Sequence, residues 1–288
     1  MMSLIEPKNT IEVLKKYDFT FSKRFGQNFL VDSHVLGKII AAAELSKDDY
    51  VLEIGPGIGT MTEALAEAAG HVYAVEIDET LIPILKETLA GRDNVTVIHG
   101  DILKTDVRAL SEEKCGRKHL KVVANLPYYI TTPIVMKLLE ERLPVESIVV
   151  MVQKEVAERM NAKPGTKSYG ALSLAVQYFA EPYLAANVPQ NCFIPRPDVA
   201  SQVIRLTVRK EPKVAVKDQD QMFRIIRASF NQRRKTLYNG LKNAQDLTFS
   251  DEEIREAIRA IGKPETVRGE TLSIEEFAAL SDALGGGR

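Results

Sequence analysis

Short β-branched runs alternate with stretches of helical apolar spacing through the first two-thirds of the chain. Strands are predicted at Tyr50–Ile54, Val72–Glu76, Val95–Ile98, Lys121–Ala124, Ser147–Val152, Tyr183–Val188 and Ser201–Val208. Between them, Thr60–Ala69, Glu79–Ala90 and Pro133–Glu140 place apolar residues at helical intervals. Strand–helix alternation at this rhythm predicts βαβ units, hence a mostly parallel seven-stranded sheet covered by helices on both faces. The last two strands are joined only by a Pro-rich loop (Pro189, Pro195, Pro197), which predicts an antiparallel edge.

Lys210–Asp220 is polar and reads as a linker, and beyond it the pattern is helical throughout. Over Gln221–Phe230, Met222, Ile225, Ile226 and Phe230 form one stripe, with Arg224 and Arg227 off it. Ser250 with Glu253, and Ser273 with Glu276, are capping boxes that open two further helices. The expected organisation is an α/β domain over residues 1–209 and a small all-α domain over 210–288.

With 288 residues, 45% hydrophobic and 27% charged, the chain has the balance of a globular protein able to bury a sizeable core. Cys115 and Cys192 are the only cysteines and stand in no ligand spacing, which argues against disulfides and a zinc site. The first eighteen residues lack the apolar segment of a signal peptide, and no run is long enough to span a membrane. A cytoplasmic protein is expected, working as a monomer and without a metal. Net charge is only −1, yet residues 205–240 carry ten Lys or Arg against three acids. Such concentration on an otherwise acidic chain is the footprint of a phosphate-binding surface.

The sequence Glu53-Ile54-Gly55-Pro56-Gly57-Ile58-Gly59-Thr60 follows a strand and opens a helix, so its glycines allow a tight turn and close approach of a ligand to the backbone. Thr60 stands where a dinucleotide site wants its third glycine. Glu53 at the strand end is placed to meet the ammonium of a methionine tail, and Glu76 at the end of the next strand to accept from two ribose hydroxyls. Asp101, just past the third strand, is placed to accept from an adenine amine. A nicotinamide dinucleotide, the rival reading, employs Glu76 and leaves Glu53 and Asp101 idle. The series therefore points to S-adenosylmethionine.

Asn125-Leu126-Pro127-Tyr128 follows the fourth strand, at the carboxyl edge where ligands of open α/β sheets bind. A sulfonium methyl is already electrophilic; the difficulty lies in an adenine amine whose lone pair is conjugated into its ring. The Asn125 side-chain oxygen and the Leu126 carbonyl can each accept one amine hydrogen and aim that lone pair. Pro127 stiffens the turn, Tyr128 offers a flat ring to an extruded base, and Phe193 is expected to close the stack on the other face.

Together with Lys23-Arg24-Phe25-Gly26-Gln27-Asn28-Phe29-Leu30, Phe193–Ser201 and Phe230-Asn231-Gln232-Arg233-Arg234-Lys235-Thr236-Leu237, these motifs resemble the ribosomal RNA adenine dimethyltransferase family, in its bacterial small-subunit branch. The resemblance implies a Rossmann-like class I methyltransferase domain and dimethylation of the N6 amines of two adjacent adenines in the 3′-terminal hairpin loop of 16S rRNA. It implies cofactor contacts from Gln27, Asn28, Leu30, Ile77 and Ile102 beside Glu53, Gly55, Gly57, Glu76, Asp101 and Asn125. Leu126 and the Arg233–Lys235 element favour that branch over the large-subunit resistance enzymes. Arg224, Arg227, Arg233, Arg234 and Lys235 are then expected to hold RNA phosphates in an immature 30S subunit. An alternative is an assembly factor that acts mainly by binding the immature subunit. Gly26 with Lys23 and Arg24 predicts that the Lys23–Phe29 segment is mobile in the free protein.

Overall fold

The computed structural model describes residues 4–22, 25–115, 120–232 and 234–285. The chain divides into two compact units, one of residues 1–157 and 181–208, the other of 158–180 and 209–288. The first unit opens with α1 (Pro7–Lys16), β1 (Phe29–Leu30) and α2 (Ser33–Ala43). It then alternates through β2 (Tyr50–Ile54), α3 (Thr60–Ala68), β3 (His71–Glu76), α4 (Ile82–Thr88), β4 (Val95–His99), α5 (Val107–Cys115), β5 (Leu120–Asn125), α6 (Thr131–Glu140) and β6 (Val145–Gln153). After α7 (Lys154–Met160) and α8 (Ala171–Phe179), the sheet resumes with β7 (Ala180–Val188), β8 (Phe193–Ile194) and β9 (Ser201–Val208).

Seven strands lie in the order β4-β3-β2-β5-β6-β9-β7, and β1 pairs with β8 in a separate ribbon. The pairs β2/β3, β3/β4, β2/β5 and β5/β6 are parallel, whereas β9 runs antiparallel to β6. Both faces of a parallel sheet must be covered, and its central strands are accordingly apolar: Val51, Leu52, Val122, Val123, Val149 and Val150 are fully buried. The chain winds outward from β2 through β3 to β4, then restarts at β5 and winds the other way. The reversal opens a crevice at the carboxyl ends of β2 and β5.

The second unit holds α9 (Gln219–Asn231), α10 (Leu237–Lys242), α11 (Asp251–Ala260) and α12 (Ile274–Gly285). Its core is the predicted stripe of Met222, Ile225 and Ile226 with Leu237, Ile254, Ile258 and Phe277. Both capping boxes form: the Glu253 and Glu276 amides donate to Ser250 and Ser273 Oγ at 3.3 Å, and the serine amides donate back at 2.7 and 2.8 Å. The units divide at 208/209, one residue from the expected 209/210, but the expected placement of residues 158–180 in the α/β domain needs correction, because they belong with these helices. The cause is α8, whose Tyr178 and Phe179 rings lie against Phe223 of α9 at 5.3 and 6.0 Å. A segment inserted between two sheet strands thus completes the helical core.

Candidate active site

The loop leaving β2 brings Gly55 and Gly57 to the crevice in left-handed conformations, with φ of 69° and 61°. The Gly55 N–H donates to the Val75 carbonyl at 2.9 Å, tying the turn to β3. Gly57 has a second reason to be glycine, since a Cβ there would stand 2.8 Å from the Phe29 ring. That ring is itself anchored by Phe19 and Phe21, with centroids at 5.9 and 5.5 Å. Gly57→Ala is expected to cost about 1–3 kcal/mol through left-handed strain and displacement of Phe29. Thermal melting should show Tm several degrees lower; an unchanged Tm would contradict this packing.

Three predicted acids take different places. Glu53 is fully buried and lines the crevice, and neither carboxylate oxygen has a hydrogen-bond partner. Burial pushes its carboxyl up to about 8. Glu76 also lines the crevice, its two oxygens held separately by the Gly57 N–H at 3.2 Å and the Asp78 N–H at 2.9 Å. Burial raises the Glu76 carboxyl, and those two donors oppose the shift. Each oxygen keeps lone-pair capacity for a hydroxyl donor. Asp101 stands between Gly100 and Ile102, which both line the crevice; one of its oxygens accepts the Leu103 N–H at 3.0 Å in the turn, and the other makes no hydrogen bond among the described residues.

Opposite stands the segment around β1. Gln27, Asn28 and Leu30 line the same crevice. Gln27 Nε2 donates to Asp78 at 2.6 Å and Gln27 Oε1 accepts the Ser22 N–H at 2.9 Å, joining this segment to the loop after Glu76. Of the residues 23–29 expected to be mobile, Phe25 to Phe29 are described, and Lys23 and Arg24 lie outside the described residues.

Asn125 ends β5 at the crevice, and its Nδ2 donates to the Asn28 carbonyl at 2.9 Å. A carbonyl can only accept, so the amide nitrogen must face Asn28 and the side-chain oxygen is left to accept elsewhere. The Leu126 N–H donates to Met151 O at 3.2 Å, and the Pro127 carbonyl accepts from Ile130 N and Thr131 Oγ1. These bonds curl the tetrad into α6. The Tyr128 hydroxyl and Ser201 Oγ share a hydrogen bond at 2.8 Å, which restrains a ring that also lines the crevice. Burial raises the Tyr128 phenol, so it stays neutral and apolar towards a base.

Phe193 requires correction as a stacking residue. Its backbone pairs with Leu30, and its side chain is buried in the core with Val188, Cys192 and Leu30, away from the crevice walls. The aromatic that does reach the mouth is Tyr129, 59% exposed and on the wall, which sequence reading passed over. Its signal was the doubled tyrosine after Pro127. Ile77, 44% exposed, adds an apolar contact beside Glu76.

The pattern of the ribosomal RNA adenine dimethylase family matches residues 18–281. The chain belongs to that family. It is a methyltransferase of ribosomal RNA adenines, and the crevice is where the family's chemistry must be sought. Among its relatives is the "Ribosomal RNA small subunit methyltransferase A" of Lachnoclostridium phytofermentans, 60% identical over 99% of this chain and 98% of that one. Its counterpart of the same name in Alkaliphilus oremlandii is 51% identical over 99% of both chains. Among solved structures, a dimethyladenosine transferase from Plasmodium falciparum has a TM-score of 0.73 at 28% identity, covering 88% of this chain and 95% of that one. The 23S rRNA methyltransferase ErmE has a TM-score of 0.70 at 26% identity, covering 90% of this chain and all of that one.

On the helical unit, Arg224 is half-buried and Arg227 exposed on α9, and Arg234 and Lys235 are exposed in the turn before α10. Arg233 lies outside the described residues. Among the described residues, no group of three His, Cys, Asp or Glu is arranged to hold a metal ion, and no helix is long and apolar enough to cross a membrane.

Proposed function

We propose that this methyltransferase takes methyl groups from S-adenosylmethionine and dimethylates the N6 amines of two adjacent adenines in the 3′-terminal hairpin loop of 16S rRNA, within an immature small subunit in the cytoplasm. The observation that carries the reading is the Asn125 amide, turned by the Asn28 carbonyl so that its oxygen is a free, neutral acceptor at the crevice. S-adenosylmethionine, when bound, supplies a methyl on a positively charged sulfur.

The crevice suits such a donor. Glu53 offers an unpartnered carboxyl to an ammonium, Glu76 offers two separately held oxygens to a ribose, and Gly57 lets the loop pass against the Phe29 ring where a Cβ would collide. On the acceptor side, Asn125 Oδ1 and the Leu126 carbonyl take the two amine hydrogens, which directs the nitrogen lone pair away from both. Tyr128 and the exposed Tyr129 present ring faces for an extruded base. The charged steps are few, so the residues act by positioning and by neutral acceptors.

The small-subunit assignment rests on relatives carrying that name, on Leu126, and on the Arg-Arg-Lys element. The helical unit, residues 158–180 with 209–288, supplies the cations that hold the RNA. The test is mass spectrometry of 16S rRNA after incubating unmethylated small-subunit particles with the protein and labelled S-adenosylmethionine. Label on both adenines of the 3′ hairpin loop, two methyls each, is expected; label confined to large-subunit rRNA, or absent, would overturn the reading.

A further inference from the structure

On the helical unit the cations fall into two classes. Lys213, Lys242, Arg255, Arg259, Lys263 and Arg268 are each ion-paired to a carboxylate. Arg159, Lys163, Lys167, Lys210, Lys217, Arg227, Arg234 and Lys235 are exposed, and Lys163, Lys167, Lys210, Lys217, Arg227, Arg234 and Lys235 make no side-chain hydrogen bond or ion pair among the described residues. A paired cation is already compensated, whereas an unpaired one is available to a phosphate with its full charge.

Lys163 and Lys167 flank a loop that sequence reading placed in the other domain. The loop is a built turn: Thr166 Oγ1 donates to the Lys163 carbonyl at 2.7 Å, the Tyr169 N–H to Thr166 O at 3.2 Å, and Gly165 has φ of 80°. Residues 163–167 are all exposed.

Three anchors fix where the turn sits. The Gly165 N–H donates to the Glu270 carbonyl at 2.7 Å. The Tyr169 hydroxyl donates to Leu272 O at 2.8 Å, and its ring meets Phe230 edge-on at 6.0 Å. Phe230 is the penultimate residue of α9, one turn beyond Arg227 and four residues before Arg234. The Leu237 N–H donates to Val267 O at 2.7 Å, which brings the Arg234–Lys235 turn beside the segment leading to Glu270. Lys167 is within about 7 Å of Tyr169 along the chain. The turn and the end of α9 are therefore neighbours, and the acid of the anchoring segment, Glu270, is compensated by Arg268 at 3.3 Å.

We propose that the 163–167 turn, Arg227 near the end of α9 and the Arg234–Lys235 turn form one continuous surface for an RNA backbone, with Lys163 and Lys167 binding phosphates. This rests on the ribosomal RNA reading above. Lys163, Lys167, Arg227, Arg234 and Lys235, uncompensated and drawn from two separate stretches of chain, suit a surface that tracks a backbone without reading bases.

The test compares the wild type with the double variant Lys163→Gln/Lys167→Gln, and with Lys263→Gln as a paired-cation control, in binding unmethylated small-subunit particles over a range of salt. The double variant should bind more weakly, with the slope of log affinity against log salt reduced by roughly 0.7–0.9 for each phosphate no longer neutralised. Its methylation rate at saturating particle concentration and its melting temperature should be unchanged, and Lys263→Gln should match wild type. An unchanged slope in the double variant, with wild type binding and methylating normally, overturns the role of the turn. Wild type that neither binds nor methylates the particles overturns the rRNA reading itself.

Discussion

Asn125→Ala is expected to lower kcat for adenine methylation by about 10³-fold, the upper range for losing one preorganised polar group aimed at the reacting centre. The loss should appear in kcat far more than in the binding of S-adenosylmethionine, because the amide oxygen acts on the amine acceptor. Single-turnover methyl transfer to small-subunit particles, paired with calorimetry of the donor, separates the two. Activity within a few-fold of wild type would remove Asn125 from the centre of the mechanism. Asn125→Asp should be nearly as damaging although it keeps an accepting oxygen and gains a second. A carboxylate in that rotamer sets an acceptor against the Asn28 carbonyl, where the amide now donates at 2.9 Å. It must turn away or take up a proton, and in either case the aim of the accepting oxygen is lost.

This orientation shows where sequence reading stops. The strand–helix rhythm was legible because a parallel sheet needs compact apolar strands, and the seven strands lie close to where those runs predict them. The capping boxes were legible because their chemistry is local, confined to four residues. The clasp between Asn28 and Asn125 spans 97 residues of sequence, so no local pattern announces it. Helix α8 escaped notice for a different reason: Leu172, Leu174, Val176, Tyr178 and Phe179 are all buried, so it lacks the polar face that reveals a helical period. Its membership of the helical unit is a tertiary fact hidden by its position between two strands of the sheet.

The residue types of the site were readable, and their directions were not. Asp101 sits where an adenine contact was expected, with one carboxylate oxygen held by its own turn and only the other left to accept. Phe193 has the right chemistry for stacking, but pairing of β8 with β1 turns it into the core. Tyr129, next to Tyr128 in sequence, takes the exposed place at the mouth. In each case the outcome is decided by which hydrogen bonds or apolar neighbours the folded chain supplies. The N-terminal segment is the clearest instance, since Gln27 and Asn28 reach two different strand ends at once.

Glu53 carries the second large effect, and its sign follows from burial. Its carboxyl sits at about 8 in the folded protein against 4.5 unperturbed, so the folded state holds a proton that the unfolded state has released across that window. Folding stability is therefore highest below pH 4.5 with respect to this group and declines as pH rises towards 8. A cationic amine arriving beside Glu53 favours the carboxylate, so donor binding must expel the proton. Affinity for S-adenosylmethionine should rise as much as tenfold per pH unit below about 8 and level off above it, with up to one proton released on binding. Calorimetry in buffers of different ionisation enthalpy reads that proton directly. Glu53→Gln should abolish the release, flatten the pH dependence and weaken donor binding, while raising the melting temperature at pH 8 and above, where the wild type must bury a charge. A variant that binds the donor as tightly as wild type at pH 8.5 would show that the ammonium is held elsewhere, and Glu53 would then be a buried acid that the site does not use.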